Sequence, residues 1–129
     1  MTDSGSKKVL IVDDDKFLLD MYAMKFKEKG YAVETANSGV EALTRLNETT
    51  GLSAVLLDLV MPGMDGFEIL GEIKSKKLAS GAALIILSNL GQKEDIDKGL
   101  ALGIDGYIIK ASCTPTEVTT KVADILAKK

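Results

Sequence analysis

Three acidic residues stand in a row at Asp13, Asp14 and Asp15, directly after the apolar run Val9-Leu10-Ile11-Val12. A fourth acid, Asp58, closes a second apolar run, Ala54-Val55-Leu56-Leu57. A third run, Ala83-Leu84-Ile85-Ile86-Leu87, ends in Ser88, and a fourth, Tyr107-Ile108-Ile109, ends in Lys110. Brought together, these residues share one chemistry. Clustered carboxylates repel, which raises their pKa values unless a cation neutralises them. Hard oxygen ligands with open positions suit Mg²⁺, which completes its shell with water and a phosphate oxygen. Lys110 supplies a point charge for a phosphoryl oxygen. Ser88 supplies a hydrogen-bond donor for another, and Asp58 a nucleophile able to carry an aspartyl phosphate. Phosphoryl transfer asks little covalent work of a protein, because alignment and charge neutralisation do most of it.

What the composition lacks narrows the choice further. There is no histidine, which removes histidine triads, histidine metal sites and any phosphohistidine on this chain. The absence of tryptophan, with only three Tyr and three Phe, argues against stacking on nucleic-acid bases. A net charge of −3, from 16 basic and 19 acidic side chains, gives no basic footprint for nucleic acid. The lone Cys113 cannot form an internal disulfide and is expected to be inert. No apolar run approaches the roughly 18 residues that span a bilayer. The start of the chain is polar and lacks a signal peptide's apolar stretch, so the expected location is the cytoplasm.

The elements that must position these residues follow from patterning. At roughly 150 residues per domain, 129 residues predict one domain. Residues 1–6 read as a flexible tail and 7–129 as the domain. The four apolar runs suit strands buried on both faces of a parallel sheet. The more mixed segment Tyr31–Ala36 suits an edge strand. Helical spacing appears over about 15–29 (Leu18, Met21, Tyr22, Phe26), about 66–76 (Ile69, Leu70, Ile73) and about 92–102 (Ile96, Leu100, Ala101). Ser38-Gly39-Val40-Glu41 and Thr114-Pro115-Thr116-Glu117 read as capping boxes, opening one helix to about Asn47 and a terminal one through Leu126. Strand and helix alternate strictly, which predicts a doubly wound α/β domain with helices on both faces of a five-stranded parallel sheet. In such sheets ligands bind beyond the carboxyl ends of the strands, where Asp13, Asp58, Ser88 and Lys110 all fall.

Four stretches in this order resemble response-regulator receiver domains of two-component signalling. They are Val9–Asp15, Leu56–Gly66 (with the specific run Asp58-Leu59-Val60-Met61-Pro62-Gly63-Met64-Asp65-Gly66), Ile86–Ser88 and Gly103–Lys110. The resemblance covers about residues 7–127. It implies a flavodoxin-like strand order, 2-1-3-4-5, and a set of roles. Asp58 resembles the phosphoacceptor, Asp14 a direct Mg²⁺ ligand, and Asp13 the holder of metal-bound water. The backbone carbonyl of Val60 would be a further ligand. Ser88 and Lys110 would bind the phosphoryl oxygens, and Ser88 and Tyr107 would form the switch that moves on phosphorylation. The implied phosphodonor is a phosphohistidine on a sensor histidine kinase or a histidine phosphotransfer protein, and no organic cofactor is implied. The output would be altered binding of an unknown downstream protein.

The chain departs from the family pattern in places. Ala111 follows Lys110 where the family usually has proline in a cis peptide, which puts the geometry of that loop in question. Asn89 follows Ser88 where a small residue is usual, and is expected to narrow access to the phosphoryl group or bond to it. Val60 and Leu90, at positions that tune hydrolysis, are apolar, so slow self-dephosphorylation is expected. Arg45 is the only arginine, so the face of the fourth helix, fifth strand and fifth helix lacks the arginine of salt-bridged dimers. A monomer is expected, with a phosphorylation-dependent dimer as the alternative. No effector segment follows Lys129 in the sequence, which leaves both a stand-alone receiver and one cut from a longer protein open.

Competing functions fit less well. A phosphatase of the haloacid dehalogenase type would use Asp13 and Asp15, but Lys16-Phe17 breaks its motif and there is no room for a cap domain. An FMN carrier would need a Ser/Thr/Gly-rich loop after the first strand. A pseudo-receiver that only binds partners would not need the intact Asp, Ser and Lys set.

Overall fold

Val9, Leu10, Ile11 and Val12 are all at most 1% exposed. A strand this dry on both faces must lie inside a sheet that is covered on both sides. The computed structural model describes residues 7–129, so the expected tail at 1–6 lies outside the described residues. In it, β1 (Lys8–Val12), α1 (Lys16–Glu28), β2 (Ala32–Ala36), α2 (Gly39–Glu48), β3 (Ala54–Leu57) and α3 (Gly66–Lys76) follow in order. Then come β4 (Ala83–Ser88), α4 (Lys93–Ala101), β5 (Gly106–Ile109), one 3-10 turn (Lys110–Ser112) and α5 (Pro115–Ala127). The five strands pair in parallel in the order β2-β1-β3-β4-β5, with the mixed strand β2 at an edge.

The period of two along each strand divides the core. Leu10, Val12, Val55, Leu57, Leu84 and Ile86 face one side, against Ala42 and Leu46 of α2 and Ile69, Leu70 and Ile73 of α3. Val9, Ile11, Leu56, Ile85 and Leu87 face the other, against Leu19, Tyr22 and Phe26 of α1 and Val118 and Val122 of α5. Each such side chain removed from water contributes roughly 1.5–3 kcal/mol. The two layers hold the strand ends rigidly, and the site is built on those ends.

Helix starts are set by side chains that satisfy the free backbone N–H groups of the first turn. Asp15 accepts from Leu18 N–H at the start of α1. Thr114 and Glu117 form the reciprocal box expected for α5, with Pro115 in the first turn. Asp65 and Glu68 form a second full box on α3, a pattern legible as Asp-x-x-Glu but not singled out from the sequence. The expected box on α2 is only half made. Ser38 accepts from Glu41 N–H, but the Glu41 carboxylate reaches past Ser38 to accept from Asn37 N–H.

Two helix faces differ from expectation. On α1 the buried residues are Leu19, Tyr22, Ala23 and Phe26, so Leu18 and Met21 flank the buried stripe. On α4 the only buried residue is Gly99, while Leu100 is 58% exposed and Ala101 is exposed. The cause is close approach: a Cβ on Gly99 would lie 2.8 Å from Ile104 and 3.0 Å from Ile86. The helix packs on its glycine, and the apolar stripe turns away from the core.

Candidate functional site

Because all five strands run the same way, β1, β3, β4 and β5 deliver their last residues to one edge of the sheet. They line an open cleft of about 440 Å³ with Asp13, Asp14, Asp58, Val60, Ser88 and Lys110 on its walls. Backbone bonds anchor the two buried acids. Asp13 N–H donates to the Ala36 carbonyl at 3.1 Å, and Asp58 N–H donates to the Val12 carbonyl at 3.0 Å. Gly66 lets α3 start directly behind Asp58, since a Cβ there would sit 2.5 Å from the Asp58 carbonyl oxygen.

The Lys110 ammonium bridges the two acids. It donates to Asp13 Oδ2 at 2.5 Å and to Asp58 Oδ2 at 2.8 Å, and all three side chains are at most 10% exposed. Asp58 Oδ1 accepts from Ser88 Oγ at 2.9 Å and from Val60 N–H at 3.1 Å. Both Asp58 oxygens are therefore engaged by donors. Asp13 Oδ1 accepts from Asp15 N–H at 2.9 Å. Asp14 stands exposed at the mouth of the cleft.

Burial pushes the Asp13 carboxyl upward, against the opposing pull of the hydrogen bonds from Lys110 and Asp15. Burial alone would lower the Lys110 ammonium, but its bonds to Asp13 and Asp58 outweigh that and hold it above the usual lysine range. One carboxylate oxygen from each of Asp13, Asp14 and Asp58 lies within 4.8 Å of the others. Three carboxylates against one ammonium leave two negative charges, and the donors are hard oxygens. That set fits a small divalent cation such as Mg²⁺.

The remaining residues singled out from the sequence fall as follows. The Asp15 carboxylate caps α1, accepting from Leu18 N–H at 3.1 Å. Tyr107 is half-buried, its hydroxyl donates to the Leu90 carbonyl, and burial, Asp95 and Asp58 raise its pKa. Leu90 N–H in turn lies 3.4 Å from Ser88 Oγ. Val60 and Leu90 sit on the rim, 58% and 38% exposed. No peptide bond among the described residues is cis, so Lys110–Ala111 is trans. Asn89 does not aim its carbonyl at the cleft: Oδ1 accepts from Ala111 N–H at 2.9 Å. Arg45 lies on α2 with Nε donating to the Thr35 carbonyl, away from α4, β5 and α5.

Residues 9–123 match the family model of the response regulator receiver domain. The chain belongs to that family. The receiver is 35% identical over 121 residues to the chemotaxis protein CheY of Halobacterium salinarum, covering 94% of this chain and 98% of that one. It is 32% identical over 128 residues to the transcriptional regulatory protein ResD of Bacillus subtilis, covering 99% of this chain and 51% of that one. The receiver thus spans about half the length of ResD and nearly all of that CheY. Among solved structures, chemotaxis protein CheY4 of Vibrio cholerae superposes with a TM-score of 0.85 at 27% identity, covering 93% of this chain and 98% of that one. A Francisella response-regulator receiver domain gives 0.83 at 30% identity, covering 95% and 98%. Receiver domains are signalling modules rather than classical enzymes, and the membership supports a phosphorylation-dependent switch.

Proposed function

We propose that Asp58 accepts a phosphoryl group from a phosphohistidine on a sensor histidine kinase or a histidine phosphotransfer protein, and that the receiver then alters its binding of a downstream protein. The observation that carries this is the convergence of Ser88, Val60 N–H and Lys110 on the two oxygens of one buried carboxylate. An Asp58 oxygen attacks phosphorus, the P–O bond forms, the P–N bond breaks, and the donor imidazole leaves and takes up a proton. The donors that now hold Asp58 would turn to the incoming phosphoryl oxygens, Lys110 as a charge and Ser88 through its hydroxyl. Asp13, Asp14, Asp58 and the Val60 carbonyl would hold Mg²⁺, which neutralises the charge gathered at the phosphoryl group.

As Ser88 turns toward the phosphoryl group, its loop is drawn in and the Tyr107–Leu90 bond is lost, freeing Tyr107 to turn inward. Val60 and Leu90 on the rim offer no group to orient an attacking water, which supports slow hydrolysis of the aspartyl phosphate. No helix among the described residues is long and apolar enough to cross a membrane. The lack of an arginine on the α4-β5-α5 face supports a monomer.

The test is phosphoryl uptake from acetyl phosphate with Mg²⁺ and with excess EDTA. Uptake that requires the metal is expected, and uptake unchanged by EDTA contradicts the proposal.

A further inference from the structure

Ser88 and Lys110 come from different strands, and their relative position is not fixed by the sheet alone. The β4–β5 ladder ends at the pair Ser88 and Ile109. Beyond it the two chains part: one enters the loop to α4, the other the 3-10 turn starting at Lys110. Just past the end of the ladder, one residue on from Ser88 and two on from Ile109, Asn89 Oδ1 accepts from Ala111 N–H at 2.9 Å. A side-chain carbonyl thus supplies the rung that the backbone no longer makes. Ala111 lies in the first turn of the 3-10 segment, where an N–H has no acceptor within the helix, and Asn89 is its partner among the described residues.

The consequence is geometric. Asn89 directly follows Ser88, and Ala111 directly follows Lys110. Both are exposed, so the bond competes with water and adds little to global stability. What it does is join the two peptide segments that carry the hydroxyl and the ammonium on Asp58. We propose that Asn89 is a positioning residue, holding the Ser88 loop and the Lys110 turn at a fixed separation so that both phosphoryl donors are aligned together. This rests on the phosphoacceptor role of Asp58. Asn89 also lines the cleft, as expected from its place after Ser88, and its side-chain carbonyl is turned to Ala111.

Asn89→Leu keeps the bulk of the side chain and removes the acceptor. Asn89→Asp keeps both the bulk and an acceptor for Ala111. Two readouts are taken on the full chain: hydrogen exchange of the Ala111 amide without phosphodonor, and the rate of phosphoryl uptake from acetyl phosphate with Mg²⁺. In Asn89→Leu the Ala111 amide should exchange about tenfold faster, and uptake should slow about tenfold through misaligned donors. Asn89→Asp should restore slow exchange and bring uptake to within about twofold of the original. Uptake by Asn89→Leu that matches the original chain overturns the proposal, as does Asn89→Asp being as slow as Asn89→Leu. If the original chain takes up no phosphoryl group at all, it is the phosphoacceptor function that fails, and the positioning role falls with it. The exchange measurement then still reports whether the rung forms.

Discussion

The Lys110 ammonium lies 2.8 Å from Asp58 Oδ2, and the two side chains are 7% and 10% exposed. A lysine this buried is held there by charge, since it also meets Asp13. Removing one partner of a buried ion pair leaves an uncompensated charge. Lys110→Met should therefore lower stability by about 3 kcal/mol in the absence of Mg²⁺. Mg²⁺ should recover more stability in this variant than in the original chain, because no ammonium competes with it for the carboxylates. Urea unfolding with and without Mg²⁺ measures both, and an equal Mg²⁺ gain in the two proteins contradicts the prediction.

Tyr107 and Leu90 give a second test, on the switch rather than the chemistry. Tyr107→Phe removes the donor to the Leu90 carbonyl. The loss of stability should be no more than about 1 kcal/mol, since the bond is exposed to water. Amides of the loop after Ser88 should exchange faster, while phosphoryl uptake should persist because Tyr107 makes no bond to Asp58. Loss of uptake in this variant would give Tyr107 a part in the transfer itself.

The rim predicts a long-lived phosphoryl group. Val60 is exposed beside Asp58 and carries no polar group on its side chain. Val60→Gln should shorten the phosphoryl lifetime about tenfold or more by orienting water, with little effect on folding. Timed loss of the added phosphate by mass spectrometry measures this. A lifetime of only seconds in the original chain would contradict the assignment of slow hydrolysis.

Helix capping supplies a pH prediction away from the cleft. The hydrogen bonds from Thr114 hold the Glu117 carboxyl below its usual value. A depressed folded-state pKa contributes stability above the unfolded value and loses it as pH falls through the folded one. Glu117→Gln should therefore lower the melting temperature at neutral pH, and the difference should shrink as pH falls below the ordinary glutamate range. A difference that stays constant with pH would mean that the carboxylate's charge plays no part.

Much of this was legible in the chain itself. Asp13, Asp58, Ser88 and Lys110 stand where apolar runs stop, and parallel strands must deliver such positions to one edge. The buried face of α4 is not legible in the same way, because the pattern of Ile96, Leu100 and Ala101 says nothing of the close approach that Gly99 permits. The bond between Asn89 and Ala111 was also beyond reach, since it joins residues 22 apart whose meeting depends on how two loops leave the sheet. The double pairing of Lys110 was hidden for a similar reason: patterning put the lysine at the edge, but not its choice of Asp13 and Asp58 as simultaneous partners.

The most direct measurement is intact mass after incubation with Mg²⁺ and acetyl phosphate, on the original chain and on Asp58→Asn. The account predicts one added phosphate on the original and none on the variant. Equal phosphate on both, or none on an original chain that binds Mg²⁺ and also refuses phosphate from histidine kinases, would contradict Asp58 as the phosphoacceptor.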